Sequence, residues 1–292
     1  MNTRELISWL DGTIALEGDR ADKSMLSRSH LIPQESLARM NAAFRETMNG
    51  CAMLLSEETT RVFFSVFLTE AAVDRVCAST DGMAMLVVHH LFDMHCGNPG
   101  TVDAIPFHFI GTEAFQKLLD CGVSLYSAHL PLDRQPCPFN TSLSFAASLG
   151  FCELSPLSLS QLPSIGYAAE TKLDLAERMA ERYPVTAAYG KPYSFSGAGE
   201  KTAFIGGVVG SGAVAELESL GFDNLVCGDV LVRTGEKRYA DTLRTVSDSR
   251  LSILCASHLK SEETALIAGA ERMKNAFPSL ELCYLPEYTD WK

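Results

Sequence analysis

Four of the seven histidines in this 292-residue chain close apolar runs. His89 and His90 end Met-Leu-Val-Val-His-His, His129 ends Leu-Tyr-Ser-Ala-His and His258 ends Leu-Cys-Ala-Ser-His. Two of them carry an acid four residues on, Asp133 after His129 and Glu262 after His258. Where the chain turns helical, such a pair shares one face with its Cβ atoms about 5 to 6 Å apart. Imidazole with carboxylate suits Zn²⁺, Mn²⁺ or Fe²⁺, whereas Mg²⁺ prefers oxygen and water throughout. A single strand-end histidine is ordinarily a hydrogen-bonded core or surface residue, and a single histidine–acid pair a solvated helix face. Here that reading would have to hold for three strand ends and two acids at once. Six candidate ligands exceed the three or four that one catalytic zinc takes, so two metals bridged by a shared carboxylate fit the count better.

Elements must bring these residues together. Short apolar, β-branched or aromatic runs predict strands over 62–68, 83–88, 123–127, 202–209, 224–227, 251–256 and 280–285. Amphipathic stretches between them predict helices over 70–78, 113–119, 141–149, 173–182, 212–220, 238–246 and 261–275. That alternation is α/β architecture. In open α/β sheets ligands bind beyond the carboxyl ends of the strands, which is where the four histidines stand. Residues 1–60 read as helical and polar, with Leu37, Met40, Phe44 and Met48 at three- and four-residue steps on one apolar stripe. Proline steps and a tract dense in Ser and Leu over 154–192 mark the boundary between two lobes.

Composition excludes several classes. Lys and Arg number 24 against 36 Asp and Glu, a net charge of −12 with no basic block, which argues against binding driven by displacement of counterions from nucleic-acid phosphates. At 47% hydrophobic and 21% charged residues the chain is globular rather than disordered. Its longest apolar stretches fall far short of the ~20 residues of a membrane span. The first residues meet an acid before any long apolar region, unlike a secretory signal. Nine cysteines, several inside apolar runs and none in a CxxC pair, read as reduced thiols and a cytoplasmic location. The glycine segment 206–212 opens a predicted helix whose N–H groups could receive an anion. Its spacing matches neither GxGxxG nor the P-loop, and a tight strand-to-helix turn is the plainer reading. Asp93, His95 and Cys96 read as outer partners of the double histidine or as plain loop. Ser257 lacks an acid partner in order for a hydrolase triad.

His89-His90 after an apolar strand, Ser127-Ala-His-Leu-Pro-Leu-Asp133 followed by Asn140, the glycine segment, Gly221-Phe-Asp-Asn-Leu-Val-Cys-Gly-Asp229 and Ser257-His-Leu-Lys-Ser-Glu262 together resemble, in that order, the Nif-three-like proteins. That family often carries the name GTP cyclohydrolase type-2-like. The resemblance implies an α/β, two-lobed fold with mixed sheets flanked by helices and a metal site at the strand carboxyl ends. The organisation expected is a helical extension over 1–60, a first α/β lobe over 61–150, a connection or small insertion over 151–194 and a second α/β lobe over 195–292, both lobes sharing one metal site. The resemblance further implies a dinuclear centre of two divalent transition-metal ions (Zn, Mn or Fe) held by His89, His90, Asp133, His258 and Glu262, with Glu262 bridging. His129 corresponds to a further histidine beside the metals and is the candidate for catalytic proton transfer. A homohexamer and a hydrolase acting on a phosphoester or nucleotide-like ring of a small-molecule substrate are implied with it. The same centre without turnover would be a metal-binding, metal-delivery or partner-regulating protein. Two departures stand out: no Asn-Gly-Leu-Gln type segment occurs in residues 1–60, and Gly228-Asp229 leads into Val-Leu-Val-Arg where the family tends to have Gly-Glu and a histidine.

Overall fold

Continuous apolar runs form strands here because both faces of each sheet are covered. A computed structural model describes residues 1–14, 21–80, 82–93, 107–184, 187–189, 200–230 and 236–286. The first part runs α1 (Thr3–Thr13), α2 (Lys23–Leu26), a 3₁₀ turn (Ser29–Leu31), α3 (Gln34–Arg39), α4 (Ala42–Thr47), β1 (Gly50–Met53), β2 (Arg61–Phe67), α5 (Glu70–Ala78), β3 (Ala84–His90), α6 (Thr112–Asp120) and β4 (Ser124–Ser127). There follow α7 (Leu130–Asp133), α8 (Thr141–Ser148), β5 (Ser155–Leu157), β6 (Gly166–Glu170), α9 (Leu175–Arg182), β7 (Ala187–Tyr189) and β8 (Lys201–Val209). The chain closes with α10 (Ser211–Ser219), β9 (Asn224–Val230), α11 (Glu236–Asp248), β10 (Ser252–Cys255), α12 (His258–Ala276) and β11 (Glu281–Tyr284).

Two mixed sheets result, in the orders β1-β4-β3-β2-β11 and β5-β6-β8-β9-β10-β7. In the first, β11, β2, β3 and β4 are parallel and β1 adds antiparallel to β4. In the second, β8, β9 and β10 are parallel, flanked by antiparallel β6 and β7. Alternate residues of each strand feed opposite cores, as the twofold period of a strand requires. Phe63 packs with Phe44, Met48, Val73 and Phe115 on one face of the first sheet, while Val62, Phe64 and Val66 pack with Leu6 and Leu10 of α1 and Leu266 and Met273 of α12 on the other. In the second sheet Ile205, Cys227 and Ile253 face Val214 and Val246, whereas Phe204, Val226 and Leu254 face Phe145 of α8 and Met179 of α9. Helix α12 packs against α8, β2, β8 and β9, between the two sheets.

Every strand and helix expected from hydrophobic pattern forms, to within a few residues at each end. The stripe over Leu37 to Met48 differs. It lies on two short helices, because the chain turns extended at Met40 (ψ 150°) where the Asn41 N–H donates to the Ala52 carbonyl at 2.8 Å and its Nδ2 to the Cys51 carbonyl at 2.9 Å. Met40, Phe44 and Met48 are buried all the same. Within 1–60, β1 joins the first sheet, and β11, near the far end of the chain, pairs with β2 in that same sheet. Residues of 151–194 supply β5, β6, α9 and β7, which extend or cover the second sheet. Eight described cysteines are free thiols, and among the described residues no helix is long and apolar enough to cross a membrane.

Two glycines separate loose from tight packing. A Cβ on Gly12 of α1 would meet nothing within 4 Å, whereas one on Gly228 of β9 would strike the Gly207 carbonyl and Ser261 Oγ. Gly12→Ala is expected to raise stability by about 0.4–1 kcal/mol, and Gly228→Ala to lower it by about 1–3 kcal/mol through overpacking. Urea midpoints at constant m-value measure both, and a Gly228→Ala protein as stable as the parent would contradict the packing described here.

Candidate metal centre

Strand β3 delivers His89 and His90 as its last two residues, 0% and 1% exposed. After β4 the chain passes through His129, which stands at the N-cap of the single-turn helix α7, and Asp133 ends that turn. After β10 it passes through Ser257 into α12, whose first residue is His258 and whose next turn carries Glu262. Each acid thus stands one helical turn past its histidine. Six residues from three chain segments meet at the carboxyl ends of β3, β4 and β10.

Glu262, 2% exposed, is the hub. Its Oε1 accepts from His258 Nε2 at 2.9 Å and its Oε2 from His90 Nε2 at 2.9 Å, while His89 Nε2 lies 3.6 Å from Oε1 and 3.4 Å from Asp133 Oδ1. His89 Nδ1 sits 3.0 Å from the Ala128 carbonyl. A carbonyl can only accept, so Nδ1 carries a hydrogen and Nε2 is the nitrogen that faces the two acids. Thr141 Oγ1 donates to Asp133 Oδ1 at 2.8 Å and fixes that carboxylate. The His89 and His90 ring centroids are 4.2 Å apart, His90 and His129 4.6 Å, and His90 and His258 5.0 Å. Phe67 walls the group, stacked on His90 at 5.1 Å and edge-on to His258 at 5.6 Å.

Charge in this cluster is set by proximity rather than by water. Burial disfavours the charged form of Glu262, yet His258, His90 and His89 outweigh it and hold the carboxyl well below its ordinary range. Burial likewise opposes a charge on His89, but Glu262 and Asp133 prevail and raise it well above the usual imidazole value. For His90 burial wins, and its titration falls well below the usual value.

The residues fit a divalent cation. His89 Nε2 and His90 Nδ1 are buried with no hydrogen-bond partner, an arrangement native proteins tolerate where an ion or a chemical role accounts for it. Donor atoms of three overlapping groups, His89–His90–His129, His90–His258–Glu262 and His89–Asp133–Glu262, each lie within 4.8 Å of one another. Imidazole with carboxylate is a donor set for Zn, Mn or Fe.

Several residues in contact with the cluster carry no signal in the sequence. Asp22, 0% exposed, caps α2 by accepting from the Met25 N–H at 3.0 Å and pairs with His129 Nδ1 at 2.5 Å across 107 positions. Asn49 Oδ1 accepts the His129 backbone N–H at 3.0 Å. The glycine segment has a different use from anion binding. Gly206 and Gly207 lie inside β8, where the register with β9 shifts between Ile205 and Val208. Gly207 has φ +77°, and a Cβ there would stand 2.6 Å from Glu262 Oε1. Its N–H donates to Ser261 Oγ at 2.9 Å. Only Gly210 and Gly212 belong to the start of α10, as the turn reading expects. Ser257 Oγ caps α12 by accepting from the Lys260 N–H at 3.1 Å. Asp93 pairs through its backbone with His108, and His95 and Cys96 lie outside the described residues.

Known proteins resemble this chain along most of its length. A protein of Pyrococcus abyssi named GTP cyclohydrolase 1 type 2 homolog is 27% identical over 238 residues, 80% of this chain and 86% of that one. Its namesake in Deinococcus radiodurans is 24% identical over 243 residues, 82% and 85% of the two chains. The structure of reduced HcgD from Methanocaldococcus jannaschii superposes with a TM-score of 0.66 at 15% identity over 98% of both chains. A Bacillus cereus protein related to NIF3 does so at 0.60 and 13%, over 99% of this chain and 98% of that one. At such identities the likeness is one of fold. Residues 34–290 match the Duf34/NIF3 (NGG1p interacting factor 3) family. That span takes in both sheets and all six clustered residues while leaving Asp22 outside it, and the chain belongs to the Duf34/NIF3 family.

Proposed function

We propose that the chain is a metal-dependent hydrolase whose centre takes two divalent transition-metal ions, with His89, His90, Asp133, His258 and Glu262 as ligands and Glu262 shared between them. One observation carries this reading: two groups of three donors, His90–His258–Glu262 and His89–Asp133–Glu262, have only Glu262 in common. Divalent ions bound there would supply Lewis-acid chemistry, lowering the pKa of a water and neutralising charge on a substrate oxygen. The chain's own residues do the rest. Asp133, braced by Thr141, and Glu262, braced by His258, hold the donor geometry. Phe67 excludes water from the rear of the His90 and His258 rings. His129 would take or return a proton, a role supported by its Nε2 3.6 Å from Asp133 Oδ2 and its side chain 14% exposed. The substrate class we infer is a phosphoester or the C–N bond of a nucleotide-like ring, supported by the cyclohydrolase name of the relatives.

A second reading rests on burial. All five ligand candidates are 7% exposed or less, which suits a centre that stores or delivers metal, or presents a metal-dependent surface to a partner, without turnover. Variants separate the two. Elemental analysis of tag-free protein reconstituted with Zn²⁺, Mn²⁺ or Fe²⁺ is expected to find two ions per chain. Glu262→Gln is expected to lose them, whereas His129→Ala should keep them and lose about 10²- to 10⁴-fold in turnover on GTP or a phosphoester panel. Equal background rates for parent and both variants would favour the binding reading, and a metal-free reconstituted parent would end both.

Gly207→Ala tests the backbone approach to the ligand. The added Cβ would stand 2.6 Å from Glu262 Oε1, so metal affinity is expected to fall about 10- to 100-fold, as when a ligand's support is lost. Titration with a chromophoric chelator reads this, and unchanged affinity would argue that Glu262 does not bind.

We also infer a closed homohexamer, supported by the family resemblance and by the general preference of oligomers for closed symmetry. Sedimentation velocity is expected to give a mass of six chains. A monomer at micromolar concentration would remove the inference and leave the metal reading in place.

A further inference from the structure

His129 is the member of the cluster whose orientation is set from outside the family-matched span. Asp22 Oδ2 stands 2.5 Å from His129 Nδ1, with Asp22 0% exposed and the His129 side chain 14% exposed. The opposite face of the ring, Nε2, looks toward Asp133 Oδ2 at 3.6 Å. Asp22 is itself held at both ends: its Oδ1 accepts the Met25 N–H at 3.0 Å, and its backbone N–H donates to the Thr47 carbonyl at 2.9 Å. Two residues on from Thr47, Asn49 Oδ1 accepts the His129 N–H at 3.0 Å. Residues 22 and 47–49 thus form one cradle that grips both the ring and the backbone of His129. Burial works against a charge on Asp22, but the His129 ring and the Met25 and Ser24 N–H groups outweigh it and keep the carboxyl below its ordinary value. With Oδ1 accepting the Met25 N–H and Oδ2 against the His129 ring, Asp22 accepts at both oxygens, and the hydrogen between the two residues belongs to Nδ1.

We propose that Asp22 is the positioning residue of the centre, fixing His129 in the tautomer and orientation whose Nε2 lone pair faces Asp133 and the metal donors. A histidine that hydrogen-bonds a carboxylate through one nitrogen has its other nitrogen aimed and its tautomer chosen. Without Asp22 the ring could turn or carry its hydrogen on Nε2, and would then meet the centre as a donor. The role rests on the proton-transfer reading of His129 above, with Asp22 acting only through that ring.

Asp22→Asn tests this without removing the helix cap, since Asn caps as well as Asp. The Met25 N–H keeps the amide oxygen at the cap, so the amide NH₂ faces His129 Nδ1 and can only donate to it. The hydrogen of His129 must then move to Nε2. Solid-state ¹³C and ¹⁵N spectra of histidine-labelled, zinc-loaded protein distinguish the two tautomers, with the His129 signals assigned by their loss in His129→Gln. Expected are an Nδ1–H ring in the parent, an Nε2–H ring in Asp22→Asn, unchanged zinc content, and a kcat at least tenfold lower with KM held on any substrate the parent turns over. An unchanged tautomer in Asp22→Asn overturns the proposal. So does a reversed tautomer with unchanged kcat, and so does loss of zinc, which would make His129 a ligand or Asp22 a structural support. If the parent turns over nothing, the hydrolase reading falls by itself and the ring spectra alone decide for or against Asp22.

Discussion

A carboxylate taken out of water is the constraint on which this molecule is arranged. Glu262 is 2% exposed, and burying an unpaired carboxylate costs several kcal/mol even after relaxation. Its two oxygens are met at 2.9 Å by His258, the first residue of α12, and by His90, the last of β3. The pairing therefore joins the end of β3 to the start of α12, and the first sheet cannot slide against that helix without uncovering a buried charge. Register in the two sheets, the point at which α12 begins and the one-turn step from His258 to Glu262 all serve that meeting.

Reaching Glu262 demands backbone where side chains would not fit. Ser257 adopts φ +116°, a conformation that costs of order 1–3 kcal/mol for a residue with a Cβ. It is held there because its N–H donates to the Gly228 carbonyl at 2.7 Å and its Oγ caps α12. Gly228 in turn has room for no Cβ against Gly207 and Ser261, and Gly207 has none against Glu262. Ser261 ties the layer together by accepting from the Gly207 N–H and donating to the His258 carbonyl at 2.8 Å. Strands β8 and β9 thus contribute to the cluster by what they lack: a wall of glycine lets the acid of α12 come within reach of the histidines.

How much of this was legible followed the range of each interaction. Strands such as β2 and β8 were readable because both faces are buried and their apolar runs are unbroken, and α5 because Thr69 caps it and its pattern repeats over nine residues. The six clustered residues were readable because His and acid lie four apart and the histidines end apolar runs. Short edge strands were not: β5 and β7 have three residues each and too little pattern to register. Gly207 falls both in the expected strand 202–209 and in the glycine segment, and its close approach to a side chain 55 positions away leaves no local trace. Asp22 could not be found at all. Its partner lies 107 residues on, and locally it is only a polar residue before a one-turn helix.

Exposure is uneven across the cluster, and that bears on what reaches it. Side chains of His89, His90, Glu262 and His258 are 0–4% exposed, against 10% for Asp133 and 14% for His129. Among the described residues the centre thus opens toward His129, and the groups that grip His129 are Asp22 and Asn49, which belong to the first 60 residues. The elements of the two sheets assemble the clustered residues, whereas the N-terminal segment supplies the groups that hold their most exposed member, His129. The clustered residues and this rim of Asp22 and Asn49 are built by separate stretches of chain that nonetheless share the cores of the first sheet, with Met25, Met40 and Phe44 on one face and Leu6 and Leu10 of α1 against Leu266 and Met273 of α12 on the other, so packing as well as His129 couples the rim to the cluster.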